Sequence, residues 1–197
     1  MHDGVAQGVY MLAVNIAANA QTIEASGHDP ELSERMQTLV RLSKQTLLET
    51  RSLLYDVGPA MAGEEGLLSL LEHHAAEFSA VTGIPVTVEA SEGLPKLPPP
   101  AVGELYRALQ EGLSNVFKHA EAGRAEIRLS HASGAVILEI VDDGHGFDLE
   151  TARGHGYGLS NLRERAERLG GDLEIQTAPG QGTRLTLTIR ANVMTGT

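Results

Sequence analysis

Cysteine and tryptophan are both absent from this 197-residue chain. Without cysteine there is no disulfide, no thiolate chemistry and no cysteine-ligated zinc site, and the absence fits a reducing compartment. Aromatic residues are only 4% of the chain against 42% hydrophobic residues. The core is therefore expected to be Leu, Val, Ile and Ala, which suits helices and aliphatic sheets. Basic residues are also short, with 15 Lys and Arg against 26 Asp and Glu and a formal net charge of −11. That balance argues against a nucleic-acid partner, which needs a basic surface, although a local basic patch can still hold a phosphorylated ligand. No apolar run approaches the roughly 20 residues of a membrane helix, so no membrane contact is expected of this segment. Nor is a secretory leader visible, since His2 and Asp3 follow Met1 at once. Helical patterning begins just as abruptly. The chain reads as a cytoplasmic piece of a longer protein, whose upstream region is where a sensor or membrane anchor would lie.

What is present falls into two halves. Residues 1–58 read as a helical hairpin. Val5, Val9, Leu12, Ile16 and Ile23, with Asn19 filling one gap, give a first seam at heptad spacing. Ser26-Gly27-His28-Asp29-Pro30 breaks it, and Leu32, Met36, Leu39, Ser43, Leu47, Thr50 and Leu54 give a second. Two helices alone bury little, so a homodimeric four-helix bundle is expected; the alternative is a hairpin packed within one chain on the second half. Residues 59–66 are a linker by composition. Residues 67–192 mix helix and strand. Helices are expected over 67–81, 102–120 and 159–169, and strands over 85–90, 125–130, 135–141, 172–177 and 183–190, with a rigid proline-rich loop at 94–100. This irregular alternation predicts an α+β two-layer sandwich.

Three segments carry chemistry. On the helix from Val102, Glu111 and Asn115 share a face, with Lys118 and His119 a turn further. The Asn115 amide oxygen can ligate Mg²⁺, Glu111 can orient or deprotonate a metal-bound water, and Lys118 can neutralise phosphate. Asp142, at a strand end, can accept from the exocyclic amine of a base, with Gly144 and Gly146 letting backbone approach a ligand. Gly154-His155-Gly156-Tyr157-Gly158-Leu159 sets three alternate glycines before a helix, where free N–H groups favour phosphate oxygens and a lid can form. No Gly-Lys-Ser/Thr follows, so it is not a P-loop. Gly182-Thr183 makes a further turn, with Thr183 a hydroxyl partner for the Asp142 region. Taken singly, these segments also fit a solvated helix face, a β-turn and a glycine loop.

Their order is more specific than any one of them. Glu111-x-x-x-Asn115, Asp142-x-Gly144-x-Gly146, Gly154-x-Gly156-x-Gly158-Leu159 and Gly182-Thr183 together resemble the N box, G1 box, G2 box and Gly-Thr motif of sensor histidine kinases. That ATP-binding fold is shared with gyrase B, chaperone ATPases and MutL. The resemblance covers about 67–190 and implies ATP and Mg²⁺ as cofactors. It also implies Asp142 on the adenine amine, Asn115 on the metal, and 148–157 as the ATP lid. His2-Asp3-Gly4-Val5-Ala6-Gln7 resembles the His-Asp-x-x-x-Gln phosphoacceptor of kinases that partner NarL/LuxR-type response regulators. A neutral imidazole is a competent nucleophile toward a phosphoryl group, and an adjacent carboxylate such as Asp3 can take the ring proton. Gln7, one turn on, can position water for dephosphorylating a regulator. The expected activity is that of an ATP-dependent histidine autokinase, with phosphatase activity toward the regulator as a companion. The rivals are an ATPase or anti-sigma-type serine kinase of the same fold, and a non-catalytic dimeric scaffold.

Overall fold

The computed structural model describes residues 2–25, 30–54, 66–149 and 158–190, with side chains undescribed at 2–8, 24–25 and 51–54. It divides into two compact units, Met1–Asp56 and Val57–Thr197.

The first unit is a helical hairpin of α1 (His2–Ala25) and α2 (Pro30–Leu54). Pro30 opens α2, where a residue without an N–H costs nothing, and Glu31 follows in the positive first turn. Among its described residues the buried side chains are Ala13, Ala20, Ser43 and Leu47. Ser43 and Leu47 belong to the expected second seam, whereas Ala13 and Ala20 lie outside the expected first one. Leu12, Leu32 and Leu39 are exposed, as are Tyr10, Met11, Val14 and Leu42. On α1 the small Ala13 and Ala20, seven residues apart, share one helix face and form the inner stripe.

The second unit is an α+β two-layer arrangement. Its elements are α3 (Gly66–Thr82), β1 (Val86–Ala90), α4 (Pro99–Asn115), a π-helical turn (Val116–Ala120), β2 (Ala125–Ala132), β3 (Ala135–Asp142), α5 (Gly158–Arg168), β4 (Asp172–Thr177) and β5 (Thr183–Arg190). The strands form one sheet in the order β1-β2-β3-β5-β4. β1 runs parallel to β2, and the other neighbours are antiparallel. Alternation puts Ile127, Leu129, Val136, Leu138, Ile140, Leu185, Leu187 and Ile189 on the buried face. The helices cover that face with Leu71, Phe78, Leu105, Leu109 and Leu113, all at most 1% exposed. The opposite face is polar. There Arg128 pairs with Glu126 at 2.6 Å and Arg184 with Glu139 at 2.8 Å.

α4 departs from the sequence reading at both ends. It starts at Pro99 rather than Val102, with Pro99 and Pro100 in the first turn, where missing N–H groups are harmless. It ends at Asn115, and the chain widens into the π turn before Glu121 leaves it with φ 51°. The reason is a tertiary contact, since His145 N–H donates to the Ala120 carbonyl at 2.8 Å and holds the turn's last residue.

Candidate functional site

The end of β3 is tied on three sides. Asp142 faces Thr183 across the β3–β5 ladder. Its Oδ1 accepts from Gly144 N–H at 2.9 Å, and the Thr183 backbone and side chain also hydrogen-bond to it. The carboxyl is 9% exposed, and burial pushes it above its ordinary range, with the Gly144 and Thr183 bonds pulling the other way. Asp143 beside it faces outward. Its Oδ1 accepts from Gly123 and Arg124 N–H at 2.8 and 2.9 Å, which hold its carboxyl below the ordinary range. Asp143 thus organises the β2 approach, while Asp142 is kept for the interior.

The glycines after Asp142 answer to protein backbone. A Cβ on Gly144 would lie 2.2 Å from the Ala120 carbonyl oxygen, and one on Gly146 (φ 59°) would lie 2.1 Å from that of Ala178. The loop is therefore pressed between the π turn and the β4–β5 turn. Gly180 N–H donates to the His145 carbonyl, and Phe147 N–H to Thr177 Oγ1 at 3.1 Å. The sequence reading gave both glycines to a ligand's approach; Gly146 lines the cavity described next and Gly144 does not.

That cavity has a volume of about 400 Å³, within the range of small-molecule sites. Ile140, Leu185, Val116 and Gly112 supply its apolar lining, and Asp142, Thr183 and Asn115 its polar one. His119, Gly158 and Leu159 also line it. Glu111 stands behind them, its Oε1 2.5 Å from where a Cβ on Gly158 would sit, with Asn115 Oδ1 at 3.3 Å from the same point. Thus α5 begins directly on the Glu111–Asn115 pair. Asn115 Nδ2 is buried without a partner, an arrangement that a bound acceptor would satisfy. Lys118 is half-buried in the π turn and does not line the cavity. Its ammonium lies in the last turn, where the helix's negative end favours cations.

The lining residues that escaped the sequence reading are Gly112, Val116, Ala120, Ile140 and Leu185, together with His145 and Phe147. His145 and Phe147 flank Gly146 in the recognised Asp142–Gly146 segment, which is the signal that could have found them. Gly154, Gly156 and Tyr157 lie outside the described residues. His2, Asp3 and Gln7 fall on α1, with His2 its first residue, and their side chains are not described.

Asn115, Asp142 and the α5 N-terminus meet in one cavity, in the chain order of an ATP-binding domain of the histidine kinase type. Residues 102–193 match the family described as histidine kinase-, DNA gyrase B-, and HSP90-like ATPase, and residues 1–61 match the family described as histidine kinase. The chain belongs to the sensor histidine kinases. It is 29% identical over 96% of its length to signal transduction histidine-protein kinase/phosphatase DegS of Brevibacillus brevis, covering 49% of that protein. Against sensor histidine kinase LiaS of Bacillus subtilis it is 26% identical, with 94% of this chain and 50% of the relative covered. It therefore spans about half the length of these relatives. The histidine kinase domain of a blue-light activated histidine kinase from Erythrobacter litoralis shares the fold at TM-score 0.57 and 18% identity, covering 92% of this chain and 97% of that one. This histidine kinase core has no helix, among its described residues, that is long and apolar enough to cross a membrane.

Proposed function

We propose that this chain is the autokinase core of a two-component system. It takes the γ-phosphoryl group of ATP onto His2 and passes it to a response-regulator aspartate. The observation that carries the reading is the cavity in which a buried, hydrogen-bonded Asp142 and an unpartnered Asn115 amide converge on the start of α5. Asp142 accepts from the adenine amine, and Ile140, Leu185 and Val116 give the base an apolar seat. Asn115 and Glu111 are suited to Mg²⁺, which takes oxygen ligands and keeps several waters; when bound, the ion neutralises charge between the phosphates. His119 and the N-terminal end of α5, which line the cavity, face the polyphosphate.

At the acceptor, a ring nitrogen of His2 forms the new N–P bond as the bond between the γ-phosphorus and its bridging oxygen breaks. ADP leaves, and the ring proton passes to Asp3. Gln7 positions water for the reverse duty, dephosphorylation of the regulator; the DegS relative bears the name kinase/phosphatase. The His-Asp-x-x-x-Gln pattern favours a regulator of NarL/LuxR type. Tyr10, Met11, Val14, Leu39 and Leu42, apolar and exposed on the hairpin, support assembly as a homodimer. Cytoplasmic action is part of the same proposal, since ATP and the regulator are both there.

Incubation with γ-labelled ATP tests the reading. Wild type should carry acid-labile, base-stable phosphate and His2→Gln none. Label persisting on the variant would sink the acceptor assignment, and acid-stable label would move the reading to a hydroxyl acceptor.

A further inference from the structure

α5 is held against α4 at two points with matching spacing. Glu104 and Glu111 are seven residues apart on α4, and Gly158 and Arg165 are seven apart on α5. Seven residues make two helical turns, so each pair lies on one face. Gly158 rests on Glu111, with a would-be Cβ only 2.5 Å from Oε1. Arg165 Nη1 donates to Glu104 Oε2 at 2.8 Å. The helices run antiparallel, and both contacts join the same two elements.

The two ends differ in kind. The Glu111 end belongs to the nucleotide cavity. The Glu104 end is remote from it and is an ion pair with side chains only 25% and 17% exposed. Glu104 also accepts from Arg107 through its other oxygen at 3.3 Å. That leaves Arg165 with one strong bond instead of a bidentate fork, and its Nε buried without a partner. The apolar grip between the two ends is small, for within α5 only Leu162 and Ala166 are buried. A short helix with so small a footprint is not fixed in register by packing alone. A directional, partly desolvated charge pair supplies what packing lacks.

We infer that Arg165 and Glu104 form a positioning clamp for nucleotide binding, setting α5 along α4 so that its first turn meets Glu111 and Asn115. Neither residue touches the nucleotide. The inference rests on the proposed nucleotide site and assigns it a control point two helical turns away. With the clamp released, the hairpin, the sheet and Asp142 keep their places, while Gly158 and Leu159 lose theirs.

Charge reversal and exchange test this on the full chain, with a fluorescent ATP analogue as the probe and the melting temperature of the ligand-free protein as a parallel readout. Arg165→Glu and Glu104→Arg should each weaken binding about tenfold, and the double exchange should recover most of it. Arg165→Lys should fall between, because an ammonium keeps the charge and loses the planar guanidinium that aims the single Nη1 bond at Glu104. A purely structural pair would lower the melting temperature and leave the affinity of the folded protein unchanged. The inference is overturned if wild type binds the analogue and the folded variants bind within twofold of it, or if the double exchange fails to recover affinity. Absence of binding by wild type would instead remove the nucleotide site itself, and this inference with it.

Discussion

At the scale of single residues, Asp142 concentrates the conflict between stability and function. Burial raises its carboxyl above the ordinary 3.8. In the unfolded chain it ionises at that ordinary value, so between the two values the folded protein binds more protons than the unfolded one. Stability therefore falls as pH rises through this window, and above it the ionised carboxylate is a standing cost. Asp142→Asn removes the charge and keeps an oxygen for Gly144 N–H. Without ligand, the variant should melt above wild type at neutral pH, with the gap closing as pH falls toward 3.8. Nucleotide affinity should move the opposite way and drop about 10- to 100-fold, because an amide can turn a donor toward the adenine amine. Thermal melts across pH, paired with titration of an ATP analogue, check both halves; a variant that melts lower and binds normally contradicts the assignment. Asp143, one residue on, has the reverse character, with an exposed carboxylate stabilised by two backbone donors. Adjacent identical residues thus differ because Asp142 closes β3 on its buried face, while Asp143, just past the strand, is exposed and bonded to the Gly123 and Arg124 N–H groups.

Among the elements, the loop after β3 is where backbone meets backbone. Gly144→Ala puts a Cβ against the Ala120 carbonyl, which the His145 N–H already holds. No side-chain rotation relieves that overlap, so the substitution should cost about 1–3 kcal/mol. Because the chain forms two compact units, calorimetry should show the loss in the C-terminal unit's transition and leave the hairpin's in place. Equal shifts in both would mean that the units unfold as one. The same loop shows how far the sequence could be read. β4 and β5 were legible to the residue, since period-two alternation is bounded by Gly170-Gly171 and by the Pro179–Gly182 turn. Asn115, Asp142 and Gly158 were legible as a set because their order carried the resemblance. The π turn was not, since it depends on a bond from His145, 25 positions after Ala120 in sequence. Ile140 was hidden for another reason: in an alternating strand, a cavity-lining isoleucine is indistinguishable from a core one. The parallel pairing of β1 with β2 was equally invisible, because strand direction is not written in side-chain period.

Across the whole molecule, the hairpin leaves apolar surface for which its own chain has no use. The pairing of α1 with α2 consumes Ala13, Ala20, Ser43 and Leu47 and leaves Met11, Leu12 and Leu42 at least 50% exposed. Large apolar side chains left exposed in this number on a small unit mark an interface. Charge does not oppose closure there. Residues 1–58 hold seven acidic and four basic side chains, so most of the −11 lies in the other unit. Self-association through the hairpin is therefore expected to be driven by apolar burial and to depend weakly on salt. Met11→Lys with Leu42→Lys places two charges on that apolar surface and touches none of the hairpin's buried residues. Light scattering should show the particle mass falling from twice the chain mass to the chain mass, while circular dichroism retains the helices. ATP-analogue binding should be unchanged, since the cavity lies wholly within Val57–Thr197. Phosphorylation of His2, measured against protein concentration, then shows whether the acceptor needs the dimer. A double variant that stays dimeric would place the interface elsewhere and leave the exposed apolar surface for another partner.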